Sequence, residues 1–262
     1  MESFVFKQFT VSHTRSAMKV NTDGVLLAAW ATLPNLDSNL KNSSINILDI
    51  GTGTGVISLI IAQRLSGIFP SFRIKGIDID SLSIEDATFN FEQSPWSNQL
   101  ECETISVQNY FTQSREHFSQ IISNPPYFTN SFKSISQRRS AARHNDSLPL
   151  HSLIDAALQL LCEGGVLSLI LPVQEGKDIM SICHNSPIYP IRLCAVKTTP
   201  EKIEKRYLLE FQKGDPIQSV KPKFIEEELI IQDKNGIYTD KYCNLVSDFY
   251  YKDLRGIRNI PI

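Results

Sequence analysis

The fold of this chain is decided by the stretch Ile45-Asn46-Ile47-Leu48-Asp49-Ile50-Gly51-Thr52-Gly53-Thr54-Gly55. Its first half is a mostly apolar, β-branched run, which is typical of a buried strand. Its second half is a glycine-rich turn, and residues 56–65 after it are apolar around most of a helical surface. The sequence therefore predicts a strand, a tight turn and a helix in direct succession.

The alternation of strands and helices continues toward the C-terminus. Further strands are predicted at residues 74–79, 102–107, 119–123, 166–171, 191–197 and 207–212, and further helices at 81–91 and 150–161. Such alternation implies a mostly parallel sheet with helices on both faces, and the short connection between the last two strands indicates one antiparallel late strand. We therefore expect an α/β, Rossmann-like fold with a mostly parallel seven-stranded sheet.

The chain shows no repeat, low-complexity tract or long linker that would divide it. Its 262 residues fit one large α/β domain. We expect a single domain over residues 1–262, with a core at 45–213, an N-terminal extension at 1–44 and a C-terminal appendage at 214–262. Within the appendage, Asn235-Gly236 is a signal for a hairpin turn between arms at residues 228–231 and 237–238.

Composition excludes several classes of protein. With 42% hydrophobic and 21% charged residues, the chain is neither disordered nor fibrous. A net charge of −2 excludes nucleic-acid binding by bulk charge, so such binding needs a local basic patch. The five cysteines are widely spaced and form no CxxC pair, which argues against a disulfide framework or a zinc cluster. Without a visible signal peptide or a span of ~20 apolar residues, we expect a cytoplasmic protein with no membrane association, no metal and no obligatory protein partner.

The glycine turn predicts the type of ligand. In doubly wound folds, ligands bind outside the carboxyl ends of the strands, where glycines allow close approach to the main chain. Gly51, Gly53 and Gly55 are spaced as GxGxG, whereas a dinucleotide fingerprint is GxGxxG, and no Walker lysine follows. A nucleoside without phosphates fits better, and S-adenosylmethionine (AdoMet) is the obvious one. Asp78 or its neighbour Asp80, at the end of the next predicted strand, would accept hydrogen bonds from the ribose hydroxyls.

The fourth predicted strand ends in a second motif, Asn124-Pro125-Pro126-Tyr127. The two prolines fix φ and remove backbone donors, so the loop offers rigid carbonyl acceptors. Asn124 adds a side-chain acceptor, and Tyr127 adds a flat ring on which an extruded base can stack. Two acceptors facing an aromatic amine would stabilise the positive charge that develops on its nitrogen during methyl transfer. The motif therefore suits a planar group bearing an NH₂, such as adenine.

Together these motifs resemble those of the class I, AdoMet-dependent amino-methyltransferases. More narrowly, the chain resembles the bacterial YfiC family in Phe6-Lys7-Gln8-Phe9, Ala17-Met18-Lys19-Val20, Thr22-Asp23-Gly24-Val25-Leu26-Leu27 and Arg138-Arg139-Ser140-Ala141-Ala142-Arg143-His144. Members of that family methylate N6 of adenosine 37 in valine tRNA, next to the anticodon. The resemblance implies a class I methyltransferase fold, AdoMet as the cofactor and the anticodon loop of tRNA as the partner.

The resemblance also implies roles for individual residues. AdoMet contacts are implied for Asp49, Gly51, Gly53, Gly55 and Asp78, and contacts to the target adenine for Asn124, Pro125, Pro126 and Tyr127. Lys19, Thr22 and Asp23 become candidates for closing the cofactor site. Many relatives carry an acidic residue near the end of the third strand that meets the adenine amine of the cofactor. Here the nearest equivalent is Ser106, so either an uncharged acceptor does that job or the predicted strand register is off by a residue or two.

A basic segment follows the Asn-Pro-Pro-Tyr motif. It contains Lys133, Arg138, Arg139 and Arg143, and it has no Asp or Glu between residues 132 and 144. Arginine pairs bidentately with phosphates and stacks on bases, and the position beside the substrate loop favours RNA contact over a merely solvated loop. Such contacts would position the RNA without reading its sequence.

Other functions remain open from the sequence. The same loop would fit another planar amine, either a glutamine amide of a protein or guanine N2 in rRNA. A nucleotide-binding oxidoreductase on a Rossmann-like sheet is a further alternative, which the GxGxG spacing disfavours.

Overall fold

A computed structural model describes residues 2–16, 19–34, 45–69, 71–126, 150–214 and 223–256 of the chain. The strands are β1 (Ser3–Val5), β2 (Thr10–Ser12), β3 (Ile45–Ile50), β4 (Phe72–Asp78), β5 (Leu100–Thr104), β6 (Phe118–Ser123), β7 (Leu161–Pro172), β8 (Ile188–Lys197), β9 (Arg206–Lys213) and β10 (Ile225–Ile230). The helices are α1 (Thr22–Trp30), α2 (Val56–Ser66), α3 (Ser81–Glu92), α4 (Val107–Gln113), α5 (Leu150–Leu160), α6 (Val173–Ile182) and α7 (Asp240–Val246).

The described strands form one large sheet and one small one. The large sheet has the order β10-β8-β9-β7-β6-β3-β4-β5, and β1 pairs with β2 separately. Strand β9 runs antiparallel to both of its neighbours, while the other pairings described in the large sheet are parallel. The predicted α/β fold, with a mostly parallel sheet and one antiparallel late strand, is confirmed.

The predicted number of seven strands is wrong, because β10 adds an eighth strand at the edge of the large sheet. It pairs in parallel with β8, from Ile225 opposite Arg192 to Ile230 opposite Lys197. Its sequence carries three consecutive glutamates, and only Leu229 is fully buried. An edge strand that buries one side chain has no apolar alternation to detect.

The third predicted strand, at residues 102–107, also needs correction. Strand β5 ends at Thr104, and Ser106 lies beyond it as the N-cap of α4. The Ser106 side chain accepts a hydrogen bond from the Asn109 backbone N–H at 3.2 Å, which is the usual role of a serine at this position. The predicted strand register was therefore off by about two residues, and α4 was missed.

Two apolar cores lie on the two faces of the large sheet. Helices α1, α2, α3 and α7 contribute to one core, and α4, α5 and α6 contribute to the other. Strand β3 supplies both, since Ile47 belongs to the first and Leu48 to the second. A strand buried on both faces explains the near-continuous apolar run at residues 45–50.

The C-terminal end of α1 is held to the sheet by buried polar groups. The fully buried Glu210 carboxylate of β9 accepts hydrogen bonds from Thr32 N at 2.6 Å, Thr32 Oγ1 at 2.8 Å and Ser168 Oγ at 3.1 Å. Arg192 Nη1 lies 3.6 Å from the same carboxylate. Arg64 donates to the carbonyl oxygens of Ala28 and Ala31, which the helix end leaves without intrahelical partners. Helix α1 is therefore fixed relative to β9 by specific bonds as well as by apolar packing.

We expect Glu210→Ala to lower the free energy of unfolding by about 2–4 kcal/mol, because the Thr32 N–H and the hydroxyls of Thr32 and Ser168 lose their buried acceptor. Half-buried Arg192 keeps its ion pair with Glu227. Urea denaturation monitored by circular dichroism measures the change. Glu226→Ala on the exposed edge of β10 is the control, and it should change the free energy of unfolding by no more than about 0.5 kcal/mol. Equal effects of the two substitutions would contradict a structural role for the buried network.

Candidate active site

The candidate site lies where the order of the large sheet reverses. From β3 the chain continues to β4 and β5 on one side, and then to β6 and β7 on the other. Ile50 at the end of β3 is paired with Ile77 of β4 and with Ser123 of β6, both in parallel. Because neighbouring strands lie ~4.8 Å apart, the residues that follow these three strands emerge together at one edge. This is the crevice where open α/β sheets bind their ligands.

The glycine turn is shaped for close approach to its main chain. Gly51, Gly53 and Gly55 have φ values of +73°, +55° and +81°, a region that L side chains rarely adopt. A Cβ atom on Gly51 or Gly53 would meet no atom within 4 Å, so the space beside both residues is open. At Gly55 a Cβ atom would lie 2.4 Å from the Phe91 ring, so this glycine also serves packing against α3.

Asp49 lies buried beneath the glycine turn. Its Oδ2 atom accepts hydrogen bonds from Thr52 Oγ1 at 2.9 Å and from Ser58 Oγ at 2.7 Å. Burial raises the pKa of Asp49 to about 6, and the two hydroxyl donors oppose that rise. Its Oδ1 atom is buried and has no hydrogen-bond partner within the described chain. The carboxyl group thus orders the turn, and Oδ1 keeps an acceptor that the described residues do not use.

The two acidic candidates after β4 have different surroundings. Asp78 Oδ2 accepts a hydrogen bond from Gly53 N at 2.9 Å, which joins the end of β4 to the glycine turn. Burial raises the pKa of the Asp78 carboxyl, against the hydrogen bonds from Asp80 N and Gly53 N. The carboxylate of Asp80 caps α3 through Leu82 N and Ser83 N, both at 3.2 Å. Asp78 is therefore the candidate at the rim of the turn, and Asp80 is occupied by the helix.

The end of β6 lies beside the end of β3. Ser123 Oγ donates to the Ile50 carbonyl oxygen at 2.7 Å, which ties the two strand ends together. Asn124 follows half-buried, Pro125 is buried and Pro126 is exposed. The predicted site residues Tyr127, Lys133, Arg138, Arg139 and Arg143 lie outside the described residues.

The candidates from the N-terminal region have partners of their own. Lys19 forms an exposed ion pair with the Glu2 carboxylate. Thr22 is the first residue of α1, and Asp23 accepts a hydrogen bond from Arg206 Nε at 2.8 Å. Because Arg206 begins the antiparallel strand β9, this bond places the N-terminal end of α1 at the same sheet edge as the glycine turn.

Sequence reasoning missed two buried residues of α3, Asp86 and Asn90. Each is 1% exposed, and they hold the backbone of residues 12–16 while Asn90 also bonds to Thr54 of the glycine turn. Their spacing of four residues on one helix face was a visible signal, but it did not reveal their partners. Within the described ranges, no cluster of His, Cys, Asp or Glu side chains could hold a metal ion. No described helix has the length and apolar character needed to cross a membrane.

Comparison with known proteins identifies methyltransferases over nearly the whole chain. The family model "Methyltransferase small domain" matches residues 28–181. A protein of Flavobacterium psychrophilum named tRNA1(Val) (adenine(37)-N6)-methyltransferase is 38% identical over 249 residues, covering 95% of this chain and 99% of the relative. A protein of the same name from Pseudoalteromonas translucida is 36% identical and covers 96% of this chain and 100% of the relative. Another from Trichodesmium erythraeum is 37% identical and covers 95% of this chain and 98% of the relative.

Solved structures resemble this one in fold. A predicted O-methyltransferase from Agrobacterium tumefaciens superposes with a TM-score of 0.63 at 19% identity, covering 87% of this chain and 96% of the other. A protein from Listeria monocytogenes that is assigned to the class I S-adenosylmethionine-dependent methyltransferases superposes with a TM-score of 0.54 at 16% identity. The superposition covers 79% of this chain and 62% of the other. Together with the topology, these likenesses identify the fold as that of the class I methyltransferases.

The raised pKa of Asp49 predicts a characteristic pH dependence of stability. Because the folded state favours the protonated carboxyl, its contribution to the free energy of unfolding is full below the unfolded value near 3.8 and is lost as the pH rises through about 6. Relative to Asp49→Asn, which does not titrate, the wild-type protein should lose up to roughly 3 kcal/mol between about pH 4 and pH 8. Urea denaturation across this range measures the difference. Asp155→Asn on the exposed face of α5 is the control and should follow the wild-type profile, whereas a constant difference for Asp49→Asn would contradict the burial effect.

Proposed function

The chain belongs to the tRNA1(Val) (adenine(37)-N6)-methyltransferase family, and from that membership we propose that it transfers a methyl group from AdoMet to N6 of adenosine 37 in valine tRNA. The observation that carries this proposal is the pairing of β6 with β3, which sets Asn124 beside the glycine turn. One strand end would hold the methyl donor, and its neighbour would hold the amine acceptor.

The residues around the glycine turn fit AdoMet. AdoMet supplies an electrophilic methyl group carried on a sulfonium. The open space beside Gly51 and Gly53 supports close approach of a ligand to the main chain. Asp78 at the adjoining strand end would accept hydrogen bonds from ribose hydroxyls, and the unpartnered Oδ1 of Asp49 would receive a polar group of the cofactor. Lys19 and Asp23 would help to close the site from the N-terminal side. Gly55 and Ser106, which precede the first residues of α2 and α4, would contact the cofactor from those positions.

The end of β6 would prepare the adenine amine for reaction. This amine is a weak nucleophile because its lone pair is delocalised into the ring. The Asn124 side-chain oxygen and the Pro125 carbonyl oxygen would each accept a hydrogen bond from one N–H group of this amine. The nitrogen lone pair then becomes available for reaction, and the two acceptors stabilise the positive charge that develops on the nitrogen. The buried Pro125 keeps this part of the loop rigid, so the acceptors need little reorganisation during transfer. The new N–C bond would replace the methyl–sulfur bond of AdoMet, whose electron pair would stay on sulfur in the neutral thioether that leaves. The nitrogen would then release a proton to water, so no strong base is required.

The anticodon loop is a substrate that this chemistry can reach. A loop base can be turned outward without breaking a duplex, and Tyr127 would stack on it. Lys133, Arg138, Arg139 and Arg143 would contact the phosphates on either side of the target. The oxidoreductase alternative has no support from the family, and the amide and guanine alternatives become outcomes of the following test.

We expect methyl transfer from labelled AdoMet to unmodified valine tRNA, and no transfer to the same tRNA with guanosine at position 37. Digestion to nucleosides followed by mass spectrometry should recover N6-methyladenosine, whereas N2-methylguanosine from added rRNA would indicate the guanine alternative. Equal labelling of the two tRNAs would contradict the choice of adenosine 37. Label that resists ribonuclease and is released by protease would indicate a glutamine amide instead.

The two strand ends should respond differently to substitution. Asn124→Ala should lower kcat by about 10²–10³-fold, because it removes a stabilising acceptor, and it should leave AdoMet affinity nearly unchanged. Asp78→Ala should weaken AdoMet binding by about 10–100-fold, as expected for lost hydrogen bonds to a charged group. Single-turnover kinetics and calorimetric titration measure the two quantities. Asn124→Asp retains an acceptor oxygen and should be the less impaired of the two Asn124 variants, whereas a reversed pattern between positions 78 and 124 would overturn the assignment of roles.

A further inference from the structure

Residues 12–16 run along α3 next to the glycine turn. The segment begins at Ser12, the last residue of β2, and precedes the part of the chain that leads into α1. It lies outside regular structure after Ser12, so its backbone groups need partners from elsewhere in the protein. For Ser12, Arg15 and Ser16 those partners are side chains of α3, the helix that follows Asp78, whereas His13 N donates to the Glu2 carbonyl oxygen.

Asn90 connects this segment with the glycine turn through a single buried amide. Its Oδ1 atom accepts from Ser12 N at 2.8 Å. Its Nδ2 atom donates both to the Ser12 carbonyl oxygen and to the Thr54 carbonyl oxygen, each at 2.9 Å. Since one nitrogen reaches both carbonyls, Ser12 and the glycine turn are next to each other, and a shift of either one strains the bonds to the other.

Asp86 and Ser83 hold the rest of the segment, one and two turns nearer the start of α3. Asp86 Oδ2 accepts from the backbone N–H groups of Arg15 at 2.9 Å and Ser16 at 2.8 Å. Ser16 Oγ lies within hydrogen-bond distance, 2.9 Å, of Ser83 Oγ. Ser83 in turn is bonded to Asp80, whose backbone N–H donates to Asp78. The bonds therefore run from the segment to both groups proposed to hold AdoMet, the glycine turn and the acid at the end of β4.

We propose that Asn90 and Asp86 are positioning residues for the cofactor site, which hold residues 12–16 against the glycine turn as one wall of that site. The inference rests on the proposed function, since it concerns the same AdoMet site. Burying an amide and a carboxylate costs free energy unless they are fully bonded, and here they are bonded to main-chain groups at the site. By ordering the segment in advance, they remove an entropic cost from binding.

The test compares Asn90→Ala with Gln63→Ala. Gln63 of α2 is a matched control, because it is a buried amide that also donates to a distant backbone carbonyl, that of Asp248 in the C-terminal region, at 2.9 Å. Calorimetric titration with S-adenosylhomocysteine measures the affinity without any reaction. We expect Asn90→Ala to weaken binding by about 10–100-fold, because binding must then supply the free energy that orders residues 12–16, and Gln63→Ala to bind as the wild type does.

Steady-state kinetics separate positioning from a general loss of structure. Asn90→Ala should raise the KM for AdoMet by a similar factor, with a much smaller change in kcat and in the KM for tRNA. Asn90→Asp keeps the acceptor for Ser12 N but sets a carboxylate against two carbonyls, so it should not restore binding. Equal loss of affinity in Asn90→Ala and Gln63→Ala would show that stability alone is responsible and would overturn the proposal.

Hydrogen exchange on the wild-type protein tests the same point for both Asp86 and Asn90 without a substitution, should the Asn90 variants not fold. Saturating S-adenosylhomocysteine should slow amide exchange at Ser12, Arg15 and Ser16 by at least about tenfold, because binding and order in the segment are coupled. Unchanged exchange would overturn the proposal. Wild-type binding without methylation of tRNA would refute only the proposed function, whereas absence of wild-type binding would refute both.

Discussion

The parallel pairing of β3 with β4 on one side and β6 on the other is the constraint on which the site depends. Ile50 lies opposite both Ile77 and Ser123, so Gly51, Asp78 and Asn124 all leave the sheet at the same level. These residues are distant in the sequence, and only sheet register brings them together. If β6 shifted its register by one residue, the side chains of Ser123 and Asn124 would each change to the other face of the sheet. The hydrogen bond from Ser123 to Ile50 would then be lost. The relative positions of Gly51, Asp78 and Asn124 are therefore determined by the hydrogen-bond register of the sheet.

Asp49 shows how the site departs from the rules that favour stability. A fully buried carboxyl whose pKa is raised to about 6 destabilises the folded state at neutral pH. An apolar residue at this position would pack between the sheet and α2, but it would offer nothing to Thr52 or Ser58. The carboxylate orders both ends of the turn and still leaves Oδ1 as an acceptor. Local violations of this kind concentrate at functional sites, where a specific gain offsets the loss of stability.

Much of this arrangement follows from sequence patterns, and the exceptions have physical causes. The apolar run at β3 and the glycine spacing were informative because a doubly buried strand and a left-handed turn leave few alternatives. Strand β10 overlaps the predicted hairpin arm at 228–231, but its place in the large sheet is not visible in the sequence because this edge strand fully buries only Leu229. The sequence pattern assigns Ser106 to a strand end, because α4 is too short to show helical periodicity. Asn90 was missed because its partner Ser12 lies 78 residues away and contributes only main-chain atoms, which no side-chain pattern records.

The residues that enclose the site therefore depend on contacts of long sequence separation. Helix α1 is fixed at one end by Glu210 of β9 and at the other by the bond between Asp23 and Arg206, the first residue of the same strand. The segment before α1 is held by α3, which starts beside Asp78. Two neighbouring elements of the N-terminal region are thus anchored to opposite sides of the glycine turn, one through β9 and one through α3. Because β9 belongs to the large sheet and α3 follows directly from β4, the described N-terminal residues are positioned by the same sheet that positions the candidate site.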